Sequence, residues 1–138
     1  MNIEVNGMVV VGQRMDAVWM GKDSRLFADA LKTSVHPGTI NVRCEATETA
    51  AHPRLKKQLL FGGECVNAGY IRGMRKLVVR DCTINGVVGF IVRHQIHPDG
   101  SCLILVIGPT VPDLKPESPI KLSLDIDAAP RAIAVSAR

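Results

Sequence analysis

The stretch Leu77-Val78-Val79-Arg80-Asp81-Cys82-Thr83-Ile84-Asn85-Gly86-Val87-Val88-Gly89-Phe90-Ile91-Val92 sets an Asn-Gly dipeptide between two runs rich in β-branched residues. Asn-Gly readily takes the positive φ angles that a two-residue hairpin turn demands, so the stretch predicts two antiparallel strands. Downstream, His97-Pro98-Asp99-Gly100 separates the second strand from Cys102–Ile107 and repeats the signal. Residues 76 to 107 are therefore expected as a three-stranded antiparallel meander. Its last strand is apolar at every position from Leu103 to Ile107, which suits a strand covered on both faces and puts Leu105 in the core.

Outward from the meander, Met8 to Gly12 reads as a first strand and Ala17 to Met20 as its continuation beyond a loop. Asp23 or Ser24 can cap a helix whose apolar residues Leu26, Phe27, Ala30 and Leu31 recur at helical spacing. This helix is expected across a barrel mouth, with Phe27 as a core anchor. Gly38 to Cys44 and Cys65 to Ile71 read as strands, Glu45 to Thr49 as a polar connection, and His52 to Leu60 as at most a short helix. Pro109, Pro112, Pro116 and Pro119 interrupt regular structure before Ile120 to Ile126 alternates apolar and polar as a final strand. Residues 1–126 are thus expected as one domain, mainly β, a small β-barrel with one short helix, and 127–138 as a C-terminal tail or extension.

The chain has 138 residues, a length suited to one domain that buries about two thirds of the surface of its unfolded form. Aromatic residues are only 4%, so Val, Ile and Leu must fill the core, and no stacking platform for single-stranded nucleic acid is available. A net charge of +4 invites an anionic partner, but its densest basic groups, Arg54 to Lys57 and Arg72 to Lys76, read as solvated surface. Nucleic acid is therefore not the expected partner. No apolar run approaches the ~20 residues of a membrane span, and the N-terminus has no signal-peptide pattern, so a cytoplasmic location is expected. Cys44, Cys65, Cys82 and Cys102 form no C-x-x-C pair and are expected as buried thiols; His94 and His97, three apart in a strand, face opposite sides and suit no shared metal.

The segment with functional content is His36-Pro37-Gly38-Thr39-Ile40-Asn41-Val42. Pro-Gly marks a turn, and residues two apart in the strand that follows share a face, so Thr39 and Asn41 present a hydroxyl and an amide oxygen together. Such a pair can hold one hard cation.

This segment resembles the Pro-Gly-Thr-x-Asn motif of the archaeal-type CTP-dependent riboflavin kinases, which are small single-domain β-barrels of the cradle-loop type. The resemblance extends over Leu26 to Leu31, Ile84 to Val88 and Leu103 to Pro109, and so over most of residues 8 to 126. It implies transfer of a phosphoryl group from CTP, or another nucleoside triphosphate, to riboflavin, giving FMN. Thr39 and Asn41 match the family's magnesium ligands, and Gly12, Gly38 and Thr39 are the implied nucleotide contacts; Arg14 is added to them by its own chemistry, as a charge-assisted phosphate contact. The chain departs from the family pattern where a glycine-rich stretch is reduced to Gly12 followed by Gln13-Arg14-Met15-Asp16, where Leu105 replaces a frequent glutamate, and at Glu117-Ser118-Pro119. No catalytic base is identified; Asp16, Glu64 and Asp99 lie in expected loops. Two further readings remain open: a barrel that binds a nucleotide, flavin or other metabolite without turnover, and a barrel for protein or nucleic-acid interaction.

Overall fold

In the computed structural model, which describes residues 1–10, 25–36, 38–55, 67–71, 74–109 and 115–136, Asn85 and Gly86 have φ of 48° and 86°. These two positive angles join β4 (Met74–Ile84) to β5 (Val87–Ile96), with Ile84 opposite Val87. A second turn carries β5 into β6 (Cys102–Ile107). It is held by the Gly100 N–H donating to the His97 carbonyl at 2.9 Å and by Asp99 Oδ1 accepting from the Ser101 N–H and hydroxyl. The meander expected from the two turn signals is present.

Around it, β1 (Asn2–Val10), β2 (Ile40–Cys44) and β7 (Pro119–Asp125) complete a ring in the order β4-β5-β6-β2-β1-β7, which returns to β4. All neighbours are antiparallel. The closing contact is short, Thr83 opposite Ser123 and Ile84 opposite Leu122. Asn85 extends it, its N–H donating to the Lys121 carbonyl and its Oδ1 accepting from the Lys121 N–H. The expected small, mainly β, single-domain barrel is therefore the fold, with β3 (Asn67–Ile71) and β8 (Arg131–Ser136) flanking the first half of β4 outside the ring.

Alternate residues of every ring strand fill the barrel: Val5 and Val9, Ile40, Val42 and Cys44, Cys82 and Ile84, Ile91, Ile104 and Val106, then Ile120, Leu122 and Leu124. A second apolar layer, Phe27, Val79, Phe90, Val92 and Ile107, lies on the opposite face of β4, β5 and β6 and is joined by half-buried Leu31, Leu105 and Ile133. Phe27 and Leu31 come from α1 (25–31), so this helix covers the outer wall of the barrel, and the expected position across a barrel mouth is corrected: helical spacing marks the apolar face but not the surface it meets. Phe27 is the expected anchor, at 0% exposure. Leu105 is half-buried because it faces this outer layer and not the barrel interior.

Several expectations need correction. β1 begins at Asn2, well before Met8, because Ile3, Val5, Gly7 and Val9 alternate with the outward Glu4, Asn6 and Met8. The polar connection after β2 is a helix, α2 (Ala46–Ala51), whose alanines favour helix although it buries only Thr49. Among the described residues α1 and α2 are thus both helices, where the sequence suggests one short helix. The C-terminal tail or extension carries β8, whose residues 131 to 136 pair with Val79 to Met74. Its Arg131 joins Asp81 at 3.1 Å and stacks over the Phe90 ring at 4.9 Å. The expected strand at Ala17 to Met20 lies outside the described residues.

A β-bulge between Ile91 and Arg93 resets the two faces of β5. Ile91 points inward opposite Val106, Val92 joins the outer layer, and Arg93 also faces outward, opposite Leu105. His94 is thereby turned inward, opposite Ile104, and is 3% exposed. Its ring is hydrogen-bonded to the backbone of Leu55, while Nδ1 has no partner. Burial pushes the His94 pKa below its ordinary 6.5, against a smaller opposing effect of the Leu55 contact.

Two stability predictions follow from this packing. Leu122→Ala empties a fully buried site in the barrel and should cost about 2–5 kcal/mol in urea melts, whereas half-buried Leu105→Ala should cost less. For His94, the unfolded chain takes the proton first, so its contribution is complete above pH 6.5 and is lost as pH falls through the lower folded pKa. Melting temperature followed over that interval should drop in the native protein and drop less in His94→Gln.

Candidate functional site

Strand β2 carries its inward residues Ile40, Val42 and Cys44 into the barrel core, which sends Asn41 and Arg43 to the outer wall. Thr39, just before the strand, shares that side. The Thr39 hydroxyl donates to Asn41 Oδ1 at 2.7 Å, and the residues are 9% and 4% exposed. The spacing inferred from the sequence thus brings the two oxygens together. Across the sheet, Asn41 is opposite Val10 of β1 and Leu105 of β6.

The turn before Thr39 is fixed from both sides. The His36 N–H donates to the Gly108 carbonyl at 2.8 Å, and Val35 forms a bridge with Pro109, so residues 35–36 are tied to the end of β6. His36 Nδ1 lies 3.2 Å from the Gly38 carbonyl. A carbonyl only accepts, so this contact assigns the proton to Nδ1 and leaves Nε2 as the acceptor in the neutral ring. Gly38 has φ of 116°, a backbone state that side-chain-bearing residues rarely take, and it is buried. Gly38, Thr39 and Asn41 therefore form one polar cluster at the end of β2. Gly12 and Arg14, the other expected nucleotide contacts, lie outside the described residues, as does Pro37.

Of the loop carboxylates, Asp16 and Glu64 also lie outside the described residues. Asp99 is on the β5–β6 turn, beside Cys102, which is opposite Cys44 at the far end of β2 from Thr39. That is about 17 Å of strand away. Its carboxyl is held below its ordinary value chiefly by the Ser101 hydroxyl and N–H, so Asp99 is an anionic turn clamp and not a base for chemistry at Thr39.

Several other polar groups among the described residues have structural roles. Cys44, Cys82 and Cys102 are buried and free, and burial pushes their pKa values up to about 12, about 12 and about 11, which leaves them protonated and unreactive. Buried Arg80 donates to the carbonyls of Asp125 and Ala128 and closes one end of the barrel. A cavity of about 540 Å³ opens there, where β4 and β7 part beyond Thr83. Its carboxylates are already neutralised: Asp125 by the N-terminal amine at 2.9 Å, Asp81 by Arg131 at 3.1 Å, and Glu4 by Lys121 at 3.9 Å. His94 is inward and His97 lies on the turn, and no group of three or more His, Cys, Asp or Glu among the described residues can hold a metal. No described helix is long and apolar enough to cross a membrane.

No protein-family model and no curated protein matches this chain. The coupling of the Thr39–Asn41 pair is measurable without any ligand. A double-mutant cycle of Thr39→Val and Asn41→Ala in urea should return about 1 kcal/mol for the buried hydrogen bond.

Proposed function

We propose that the chain is a magnesium-dependent phosphotransferase of the riboflavin kinase type, moving a phosphoryl group from a nucleoside triphosphate, CTP by resemblance, to riboflavin. The observation that carries this reading is the adjacency of Thr39 Oγ1 and Asn41 Oδ1, 2.7 Å apart at the end of a barrel strand. Octahedral magnesium binds oxygen at 2.0–2.1 Å, so neighbouring ligand oxygens are about 2.9 Å apart, and the pair fits two adjacent positions. Magnesium usually retains waters and takes phosphate oxygens besides one or two protein ligands, so a neutral hydroxyl and amide suffice. Bound there, the ion would supply charge against the polyphosphate. For the protein, the task is to orient the nucleotide and hold its phosphates against the acceptor hydroxyl, since phosphoryl transfer depends mostly on positioning and charge. Gly38 adds a position where backbone can approach phosphate closely.

A second reading, binding without turnover, is favoured by one position. Leu105 is directly opposite Asn41, where the resemblance implies a frequent glutamate, and the described cluster offers no carboxylate in its place. The two readings separate when purified protein is incubated with magnesium, riboflavin and CTP or ATP. Formation of FMN with nucleoside diphosphate supports the kinase; magnesium-dependent binding without product supports the second reading. In either case Asn41→Ala should leave a cooperative melt and lower magnesium-dependent nucleotide affinity at least about tenfold, because a methyl group cannot replace an oxygen ligand. Unchanged affinity in the folded variant removes the site.

A further inference from the structure

The bulge in β5 does more than bury His94. Val92 and Arg93 are consecutive yet both face outward, so the bulge exports a cation that regular alternation would have sent into the barrel. Arg93 is opposite Leu105, and Leu105 is opposite Asn41, so the three residues form one row across β5, β6 and β2 on the outer wall. With adjacent strands about 4.8 Å apart, the Cα atoms of Arg93 and Asn41 are about 10 Å apart. That gap suits an arginine side chain meeting the oxygens of a phosphate group held beside Asn41.

A comparison with Arg43 singles out Arg93. Arg43 shares the outer side two residues beyond Asn41, but it is drawn to Glu45 and Asp99, each at 3.7 Å. Arg93 is exposed and has no ion pair or hydrogen bond among the described residues. Half-buried Leu105, packed on one side against the outer apolar layer, lies between Arg93 and Asn41 in the row and carries no charge. A cation binding site at one end of a short row and an uncommitted guanidinium at the other match a ligand with several linked phosphates. A guanidinium can hold a phosphate through two parallel N–H···O bonds, so it adds orientation as well as charge.

We infer that Arg93 is a positioning residue for the polyphosphate chain of a nucleoside triphosphate whose metal-bound phosphates sit at Thr39 and Asn41. The inference rests on the nucleotide reading above and adds to it the residue that distinguishes a triphosphate from a monophosphate. Arg93 binds the phosphate farther from the metal site, and Leu105 keeps the space between them free of competing negative charge.

Calorimetric titration of the full chain with CTP, CMP and inorganic tripolyphosphate, in magnesium, tests this on the native protein, Arg93→Ala, Arg93→Lys and Asn41→Ala. Arg93→Ala should weaken CTP and tripolyphosphate by about tenfold and CMP by less than about twofold, with partial recovery in Arg93→Lys. A merely structural role would weaken all three ligands alike, and that result overturns the inference. So does CTP affinity unchanged in Arg93→Ala while Asn41→Ala abolishes binding, an outcome that leaves the Thr39–Asn41 site standing. If the native protein binds neither CTP nor tripolyphosphate with magnesium, the nucleotide reading falls and this inference with it. Arg93 is exposed, so its variants are expected to fold, and their melting curves check this directly.

Discussion

The ring closes through two residue pairs, Thr83 with Ser123 and Ile84 with Leu122, and the rest of the molecule depends on that short seam. A closed antiparallel ring must point alternate residues of every strand to its axis, which forces each strand to show an apolar inner row regardless of what its outer row does. The inner rows here are almost wholly Val, Ile, Leu and Cys. The outer rows are under no such requirement: part of them packs beneath α1, and the rest has room for polar groups. Asn41 and Arg93 occupy that outer wall. Without the seam, β4 and β7 would leave unpaired edges, and the interior that fixes β2 and β6 beneath the candidate site would open to water.

The seam also explains the uneven behaviour of β4. Its second half belongs to the ring, where Cys82 and Ile84 face the core. Its first half leaves the ring and is flanked by β3 and β8. Where it departs from β7, the buried Arg80 guanidinium fills the gap by donating to the carbonyls of Asp125 and Ala128. Carbonyl partners satisfy the donors of a buried cation without requiring a second buried charge. Nearby, Met1, Arg54, Asp125 and Asp127 form an exposed ionic cluster that ties the first residue to the end of β7.

Legibility in the sequence followed the range of the forces involved. Asn85-Gly86 and Asp99-Gly100 set local backbone angles, so the meander could be located from short stretches. The pairing of Thr39 with Asn41 was legible for the same reason, since a strand's period of two is a local property. By contrast, α2 has no apolar stripe, and β8 is a run of small and β-branched residues whose identity as a strand comes from its distant partner β4. The position of α1 on the outer wall depends on Phe90, Val92 and Ile107 being on the face away from the core, which only the assembled register determines. Arg93 had no signal at all: ordinary alternation after Phe90 and Val92 sends it to the wrong face, and the bulge that corrects this emerges from pairing with β6.

The register between β1 and β7 has a kinetic consequence. Asn2 pairs with Asp125 and Met8 with Pro119, so β1 leaves the ribosome long before β7, the partner it needs to complete the ring. A nascent chain that ends before residue 119 cannot complete the barrel, whatever hairpins it has already formed. Such distant pairing raises contact order and slows folding, because a long loop must close before the contacts that reward it exist. Glu4 and Asn6 in the outer row of β1 put a charge and an amide on that strand, features that oppose edge-to-edge pairing while it is unpartnered.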